Sequence, residues 1–323
     1  MINKHMKYLV CPVCGSNSLS IKKNKAYIPN KDNIISCKKC ESSFPVKYDI
    51  PFLINSSNDK SPEMSFDRQW WLKKKKFLEP KLSSGKHPAE RYKKILNIFN
   101  LKSFPKGSKF LDAGCGNGIN GLEVARNNPD CLVFMTDVSI KGLLETREKS
   151  LDLENVVLLQ SDLDNLIFKE NFFDYVWCEG VLHHTPNTLN ALKSLSNCVK
   201  KNGKIYIWLY PNYRKSYYLF IRDLFVCAHR LPFWAIYLLS VFTAIPYYFF
   251  NLIYINIKKI VIPSSRPYLK KRPFLSVVFS IYDSLNPKYQ YRHSKKEAKG
   301  WLTDLGYASI KLVGDLGLVA KKN

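Results

Sequence analysis

The 323-residue sequence predicts an α/β fold, with a doubly wound and mostly parallel sheet preceded by a small four-cysteine domain. Three observations predict it. Short apolar runs alternate with helix-patterned segments between residues 90 and 210, the order that builds a parallel sheet covered by helices on both faces. The first of those runs ends in a carboxylate and a glycine-rich turn, Asp112 to Gly118. Ahead of it stand two Cys-x-x-Cys pairs, Cys11/Cys14 and Cys37/Cys40, separated by 22 residues.

Two such pairs supply four thiolates, the tetrahedral all-sulfur shell that a structural Zn²⁺ prefers. A closed four-cysteine site leaves no open position, so its expected role is folding rather than catalysis. Lys22, Lys23, Lys25, Lys38 and Lys39 would offset the site's negative charge. The plainer alternative is four unrelated thiols. After the second pair comes Ser43-Phe44-Pro45-Val46-Lys47-Tyr48-Asp49-Ile50-Pro51-Phe52-Leu53-Ile54. With the two knuckles, this resembles the small zinc-ribbon family that activates methyltransferases, with Asp49 where the family pattern usually has glycine.

Charge is unevenly placed. The chain carries 50 Lys+Arg against 26 Asp+Glu, and successive hundreds of residues hold +12, −3 and +14, with +1 in the remainder. The middle third is therefore excluded as a polyanion-binding surface on charge grounds. The flanks could attract nucleic acid, anionic lipid or acidic small molecules alike. An odd count of nine cysteines, with no apolar stretch in the first ten residues, is expected of a reduced cytoplasmic protein.

Lys109-Phe110-Leu111-Asp112-Ala113-Gly114-Cys115-Gly116-Asn117-Gly118 reads as a strand entering a tight turn, with a helix through Gly121–Ala125. Glycines there let backbone approach a ligand closely. On its own the pattern could serve a dinucleotide. Its acidic residue makes it resemble motif I of class I S-adenosylmethionine (SAM) methyltransferases. That resemblance implies a seven-stranded Rossmann-like sheet with SAM on Asp112, Gly114, Gly116 and Gly118. Strand two, Cys131–Asp137, would offer Asp137 to the ribose. Strand three, Val156–Leu163, would offer Asp162 and the Leu163 amide to adenine. The segment from Phe172 to His184 is similar to the subgroup containing quinone-biosynthesis methyltransferases. Glu179, at the end of strand four, is a candidate to orient the cofactor's methionine end. A turn at Lys200–Lys204 leads into strand five, and 290–323 supply a last helix and closing hairpin.

For an oxygen or carbon acceptor the chemistry also needs a base, which makes His183, His184 and His293 candidates. The segment Asp283–His293 resembles one before the last helix in small-molecule and glycan-pathway methyltransferases, which implies that Tyr291 and His293 face the acceptor. Alternatively His183 packs under the fourth strand and His184 faces a loop. Cys115 and Cys178 read as packing residues. No Asn/Asp-Pro-Pro-Tyr/Phe follows strand four and no Pro-Cys pair occurs in the chain, which weighs against exocyclic-amine and pyrimidine-C5 methylation of nucleic acid.

Residues 58–89 read as a linker with an aromatic helix (Phe66, Trp70, Trp71) ending in Lys73–Lys76. Its lysines are either solvated or a patch for nucleic acid or lipid headgroups. From Leu231 to Ile257 there are 27 residues without a formal charge. Pro232 and Pro246 are expected to divide them into short helices. Basic residues flank the run: Arg214, Lys215, Arg222 and Arg230 before, Lys258, Lys259, Arg266, Lys270, Lys271 and Arg272 after. The stretch suits an anionic membrane surface entered by an interfacial helical pair, or else a substrate lid or dimer interface.

The expected divisions are thus a zinc ribbon (1–57), a linker (58–89), a SAM-binding core (90–210), a helical insertion (211–289) and the closing segment (290–323). The expected activity is SAM-dependent methylation of a small-molecule, glycan or lipid-linked acceptor near the cytosolic membrane face. RNA methylation, with ribbon and linker lysines on phosphates, and a non-enzymatic SAM-binding scaffold are the competing expectations.

Overall fold

The computed structural model describes residues 4–22, 33–55, 60–74, 88–165, 167–213, 217–261 and 273–323. Contacts divide the chain into two units. The first comprises residues 1–63, 86–212 and 291–323; the second comprises 64–85 and 213–290.

The first unit opens with an antiparallel sheet of β1 (Leu19–Lys22), β2 (Asn33–Cys37), β3 (Ser43–Lys47) and β4 (Ile50–Pro51), in that spatial order. Its knuckles are two similar turns. Gly15 N–H donates to Cys11 O and Glu41 N–H to Cys37 O, and both residues sit in the left-handed region (φ 68° and 61°). Tyr48 and Asp49 also have positive φ (54° and 59°). Asp49 therefore adopts the left-handed conformation that suits the glycine of the ribbon pattern it resembles, and its carboxylate meets Arg147 at 2.7 Å. Of the lysines expected to balance the thiolates, Lys23 and Lys25 lie outside the described residues.

After α2 (Pro88–Phe99) comes the main sheet: β5 (Lys109–Ala113), α3 (Ile119–Asn127), β6 (Leu132–Asp137), α4 (Ile140–Glu148), β7 (Val156–Gln160), β8 (Phe173–Glu179), α5 (Thr188–Cys198) and β9 (Val199–Trp208). The chain closes through α9 (Lys295–Asp304), β10 (Tyr307–Val313) and β11 (Gly317–Lys322). The spatial order is β10-β11-β9-β8-β5-β6-β7. Five strands from β7 to β9 run parallel, and β11 enters antiparallel beside β9. This is the doubly wound, Rossmann-like seven-stranded sheet that the resemblance implies. The order reverses at β5, whose two neighbours β6 and β8 follow it on opposite sides, and a crevice forms at the carboxyl ends there.

Two strand limits move. β7 stops at Gln160, so Asp162 and Leu163 occupy the following loop, where Asp162 Oδ1 accepts Asn165 N–H at 2.9 Å. The turn expected at Lys200–Lys204 is a bulge inside β9. Pairing jumps from Phe173↔Val199 to Tyr175↔Lys204, and Asn202 takes φ 64°.

The ribbon shares a core with this sheet rather than standing apart. Leu53 N–H donates to Gln160 O (2.9 Å), Val10 N–H to Ile167 O (2.7 Å) and Lys169 N–H to Tyr8 O (3.1 Å). Ile35, Phe44, Val46 and Leu53 bury beside Phe134, Leu159 and Phe168 in one cluster. The open edge of β7, which would otherwise present unpaired backbone, is thereby covered.

The second unit holds the rest of α1 (Ser61–Lys74), then α6 (Tyr217–Leu224), α7 (Phe233–Val261) and α8 (Phe274–Leu285). Here the expected pair of short helices is corrected. Pro232 does precede the helix, but Pro246 sits inside one continuous 29-residue helix. Proline removes one backbone donor, and neighbouring turns can carry the helix past that single loss. The helix that pairs with α7 is α8; Val277, Val278 and Ile281 pack with Ile236 and Ala244. Lys73, expected to be solvated or in a patch for nucleic acid or lipid headgroups, lies over the Trp70 and Phe279 rings at 3.9 and 4.5 Å. Lys75, Lys76, Arg214, Lys215, Arg266, Lys270, Lys271 and Arg272 lie outside the described residues.

Candidate functional site

The crevice is built where β5, β6 and β8 end. Asp112 is buried, and its Oδ2 accepts the Gly121 N–H (2.8 Å) at the start of α3. The turn between them needs its glycines. Gly114, Gly116 and Gly118 have φ of 75°, 54° and 77°, which L side chains rarely adopt. Space is equally short. A Cβ on Gly114 would lie 2.3 Å from Val181 Cγ2, and one on Gly118 would lie 2.5 Å from Thr146 Cγ2. The turn is tied down by Gly114 and Cys115 N–H groups donating to Thr136 O and by Thr146 Oγ1 donating to Gly116 O (3.0 Å).

Asp137, at the tip of β6, accepts Gly116 N–H on Oδ2 (2.7 Å) and Ser139 N–H on Oδ1 (2.8 Å). A carboxylate has about four acceptor sites, so both oxygens keep capacity for a ligand's hydroxyls. Glu179, ending β8, pairs with Lys94 Nζ of α2, and Asn120 Nδ2 donates to its other oxygen at 3.4 Å. Asp162 and Leu163 follow β7 on the far side of Asp137, and Ser161 N–H is held by Asp137 O (3.1 Å).

These acids share a field. Burial first, opposed by the Gly121 N–H, and then the charges of Glu179 and Asp137, push the Asp112 carboxyl up to about 7. Asp164, which the sequence reading passed over, is raised to about 6 by burial and by Asp162. Negative charge gathered at the mouth of a dry turn suits a cationic ligand better than a phosphate. A sulfonium nucleoside with an ammonium group fits that donor set. The glycine turn leaves room for its approach, and Asp137 offers the paired acceptors that ribose hydroxyls need.

The candidate acceptor residues gather beside β8 and β9. His183 is fully buried and stacks on Tyr210 with ring centroids 3.9 Å apart; His184 lies 4.3 Å away. Neither His183 ring nitrogen has a hydrogen-bond partner among the described residues. Burial, then His184 and His293, hold its imidazole well below the ordinary value, so it is neutral at physiological pH. Tyr291 N–H donates to His183 O (2.9 Å), which brings the closing segment onto the same patch. The Tyr291 hydroxyl donates to Pro186 O at 3.2 Å, and its ring is partly exposed. His293 is committed elsewhere: Nε2 contacts Thr188 Oγ1 (3.1 Å) and Nδ1 faces Glu297 (3.3 Å). Cys115 and Cys178 are buried in the packing around the turn.

Sequence reasoning missed Lys94, Asn120, Ser139, Thr146 and Val181. Arg91 and Lys94 sit three apart on α2, a spacing that places both on one face, and that was the one local signal available.

The four knuckle sulfurs all lie within 4.8 Å of one another, with Cys11–Cys40 and Cys14–Cys37 at 3.6 Å. Sulfurs about 2.3 Å from a single tetrahedral ion would be about 3.8 Å apart, so the cluster fits Zn²⁺.

Residues 111–207 match the family described as Methyltransferase domain. The demethylmenaquinone methyltransferase of Staphylococcus aureus (strain JH9) is 35% identical over 101 residues, which cover 31% of this chain and 42% of that protein. The chain thus spans about two fifths of the length of the curated relatives it matches. Among solved structures, magnesium protoporphyrin IX methyltransferase from Synechocystis with bound SAM is 15% identical, covering 83% of this chain and 100% of that one at TM-score 0.46. A SAM-dependent methyltransferase from Aquifex aeolicus is 17% identical, covering 76% and 94% at TM-score 0.43.

Proposed function

We propose, from a chain whose residues 111–207 match the methyltransferase domain family, that the protein is a SAM-dependent methyltransferase acting on a small-molecule, glycan or lipid-linked acceptor near the cytosolic membrane face. The observation that carries it is the acid-tipped glycine turn. Asp112, Asp137 and Glu179 surround a backbone cradle whose three glycines have positive φ, with no space for a Cβ at Gly114 or Gly118.

In this reading Asp137 holds the ribose hydroxyls and the Gly114–Gly118 turn lies against the nucleoside. Asp162 and the Leu163 amide meet the adenine edge, and Glu179, steadied by Lys94, faces the methionine ammonium. SAM supplies an already activated methyl group, so much of the acceleration can come from holding the acceptor in line. His183, neutral and with both ring nitrogens unpartnered among the described residues, offers the acceptor's hydroxyl a hydrogen-bond partner. Tyr291 lines the exposed side. His293 positions Thr188 and the start of α9. Zn²⁺ on Cys11, Cys14, Cys37 and Cys40 holds the ribbon against β7 as a structural ion. The quinone-type relative favours a small-molecule acceptor, and the apolar α7 favours one found at a membrane.

The test is incubation of the protein with deuterated-methyl SAM and a cell extract, followed by mass spectrometry of the aqueous and lipid fractions. Label entering a small or lipid-soluble molecule supports this reading. Label entering RNA alone would transfer it to the RNA alternative, and Asp137→Ala should abolish either signal.

A further inference from the structure

The 213–290 insertion leaves and rejoins the sheet unit at a single point. Asn212 N–H donates to His293 O at 3.0 Å, and Pro211 bridges His293. Between those residues stands α7, whose stretch Phe233–Lys258 holds an 18-residue window of mean hydropathy 1.6, only 17% of it buried. Its inward side chains, among them Ile236, Ser240 and Ala244, are buried. Its outward ones also run at three- and four-residue steps: Leu238, Phe242, Ile245, Phe249, Ile253 and Ile257, each more than two-fifths exposed. No charged residue interrupts that stripe, and Trp234 and Ile260 extend it. A surface helix ordinarily turns a polar face outward, so a helix apolar on both faces is covered by something else.

We infer that the cover is a lipid bilayer bearing anionic headgroups, with α7 lying in its surface and entering from one side only. Charge selects that partner: residues 213–290 contain 11 Lys+Arg against 2 Asp+Glu, and the cations stand at the ends of the apolar run. Connectivity selects the geometry. Both ends of the insertion are fixed at one place, so the chain crosses a bilayer an even number of times or not at all. At 29 residues α7 is about 44 Å long and could cross, but α8, at 12 residues, is about 18 Å and cannot return across a core of about 30 Å. A return by non-helical chain would leave backbone groups unpaired in hydrocarbon. An in-plane helix meets both constraints.

This takes up the membrane-side part of the proposed function and draws nothing from the cofactor crevice. Its test is flotation of the full chain with phosphatidylcholine vesicles, with and without phosphatidylglycerol. The chain should float with the anionic vesicles and less with the neutral ones. The Phe242→Glu/Phe249→Glu double variant, altered only at exposed positions, should lose about tenfold or more in vesicle partition with its melting temperature unchanged. Trypsin added outside should still cut vesicle-bound protein between Arg266 and Arg272. Protection of that segment would mean a crossing and would overturn the in-plane arrangement. Failure to float, or a lipid-free dimer dissolved by Phe249→Glu, would overturn the bilayer as occupant. Asp137→Ala should float normally while losing SAM, which separates failure of this inference from failure of the methyltransferase reading.

Discussion

Gly118 shows how little freedom the cradle leaves. An alanine there must hold φ near 77° and push its Cβ to 2.5 Å from Thr146 Cγ2. Gly118→Ala should cost about 2 kcal/mol in chemical denaturation and weaken SAM binding in calorimetry. Asp112 gives a pH dependence. Between its ordinary 3.8 and about 7 the folded chain holds a proton that the unfolded chain has released. Stability without cofactor should therefore fall as pH rises through that window and level off above it. Affinity for a cationic cofactor should climb through the same window, because the ionised carboxylate attracts it. Asp112→Asn should flatten both profiles. His183→Phe removes a buried imidazole whose nitrogens have no partner among the described residues, so its melting temperature should rise, by about 1 kcal/mol of stability, with SAM affinity intact. Methyl transfer should drop about tenfold or more if the ring serves the acceptor; unchanged turnover would leave it a packing residue. Asp112, the three glycines and Asp137 were legible because each stands at a fixed offset from an apolar strand. Val181 and Thr146 were not, since nothing local says that a side chain 67 residues beyond Gly114, or 28 beyond Gly118, will close over it.

Among elements, the ribbon and α7 mark the limits of local reading. The cysteine pairs announced a metal module, yet its attachment to β7 through Leu53 and Gln160 depends on edge pairing, which carries no motif. Because ribbon and sheet share one cluster, metal loss should be felt throughout the unit. Cys37→Ser should lower bound zinc, measured by elemental analysis, and lower the melting temperature by about 10 °C. Retention of zinc at one ion per chain would reject the four-sulfur site. For α7 Pro246 misled, because a proline's local preference is weaker than the gain from continuing an apolar helix along α8. The strand limits at Gln160 and Val199 moved for a similar reason: hydrogen-bond pairing, rather than apolar content, decides where a strand ends.

At the scale of the molecule, the two units interleave along the chain, and the order of segments in sequence is not their order in space. The strand-helix alternation predicted a doubly wound parallel sheet and the resemblance its seven strands; the reversal at β5 sets the crevice where Asp112 and Asp137 meet. The grouping of 64–85 with 213–290 was hidden, since it depends on contacts such as Ser65 Oγ donating to Asn286 O and Gln69 Nε2 to Asp283. Calorimetric titration of SAM into the wild type and Asp137→Ala tests the central claim most directly. One site per chain in the wild type, absent in the variant with zinc content unchanged, is the predicted result. No SAM binding by the folded wild-type protein, or equal affinity in both, would contradict it.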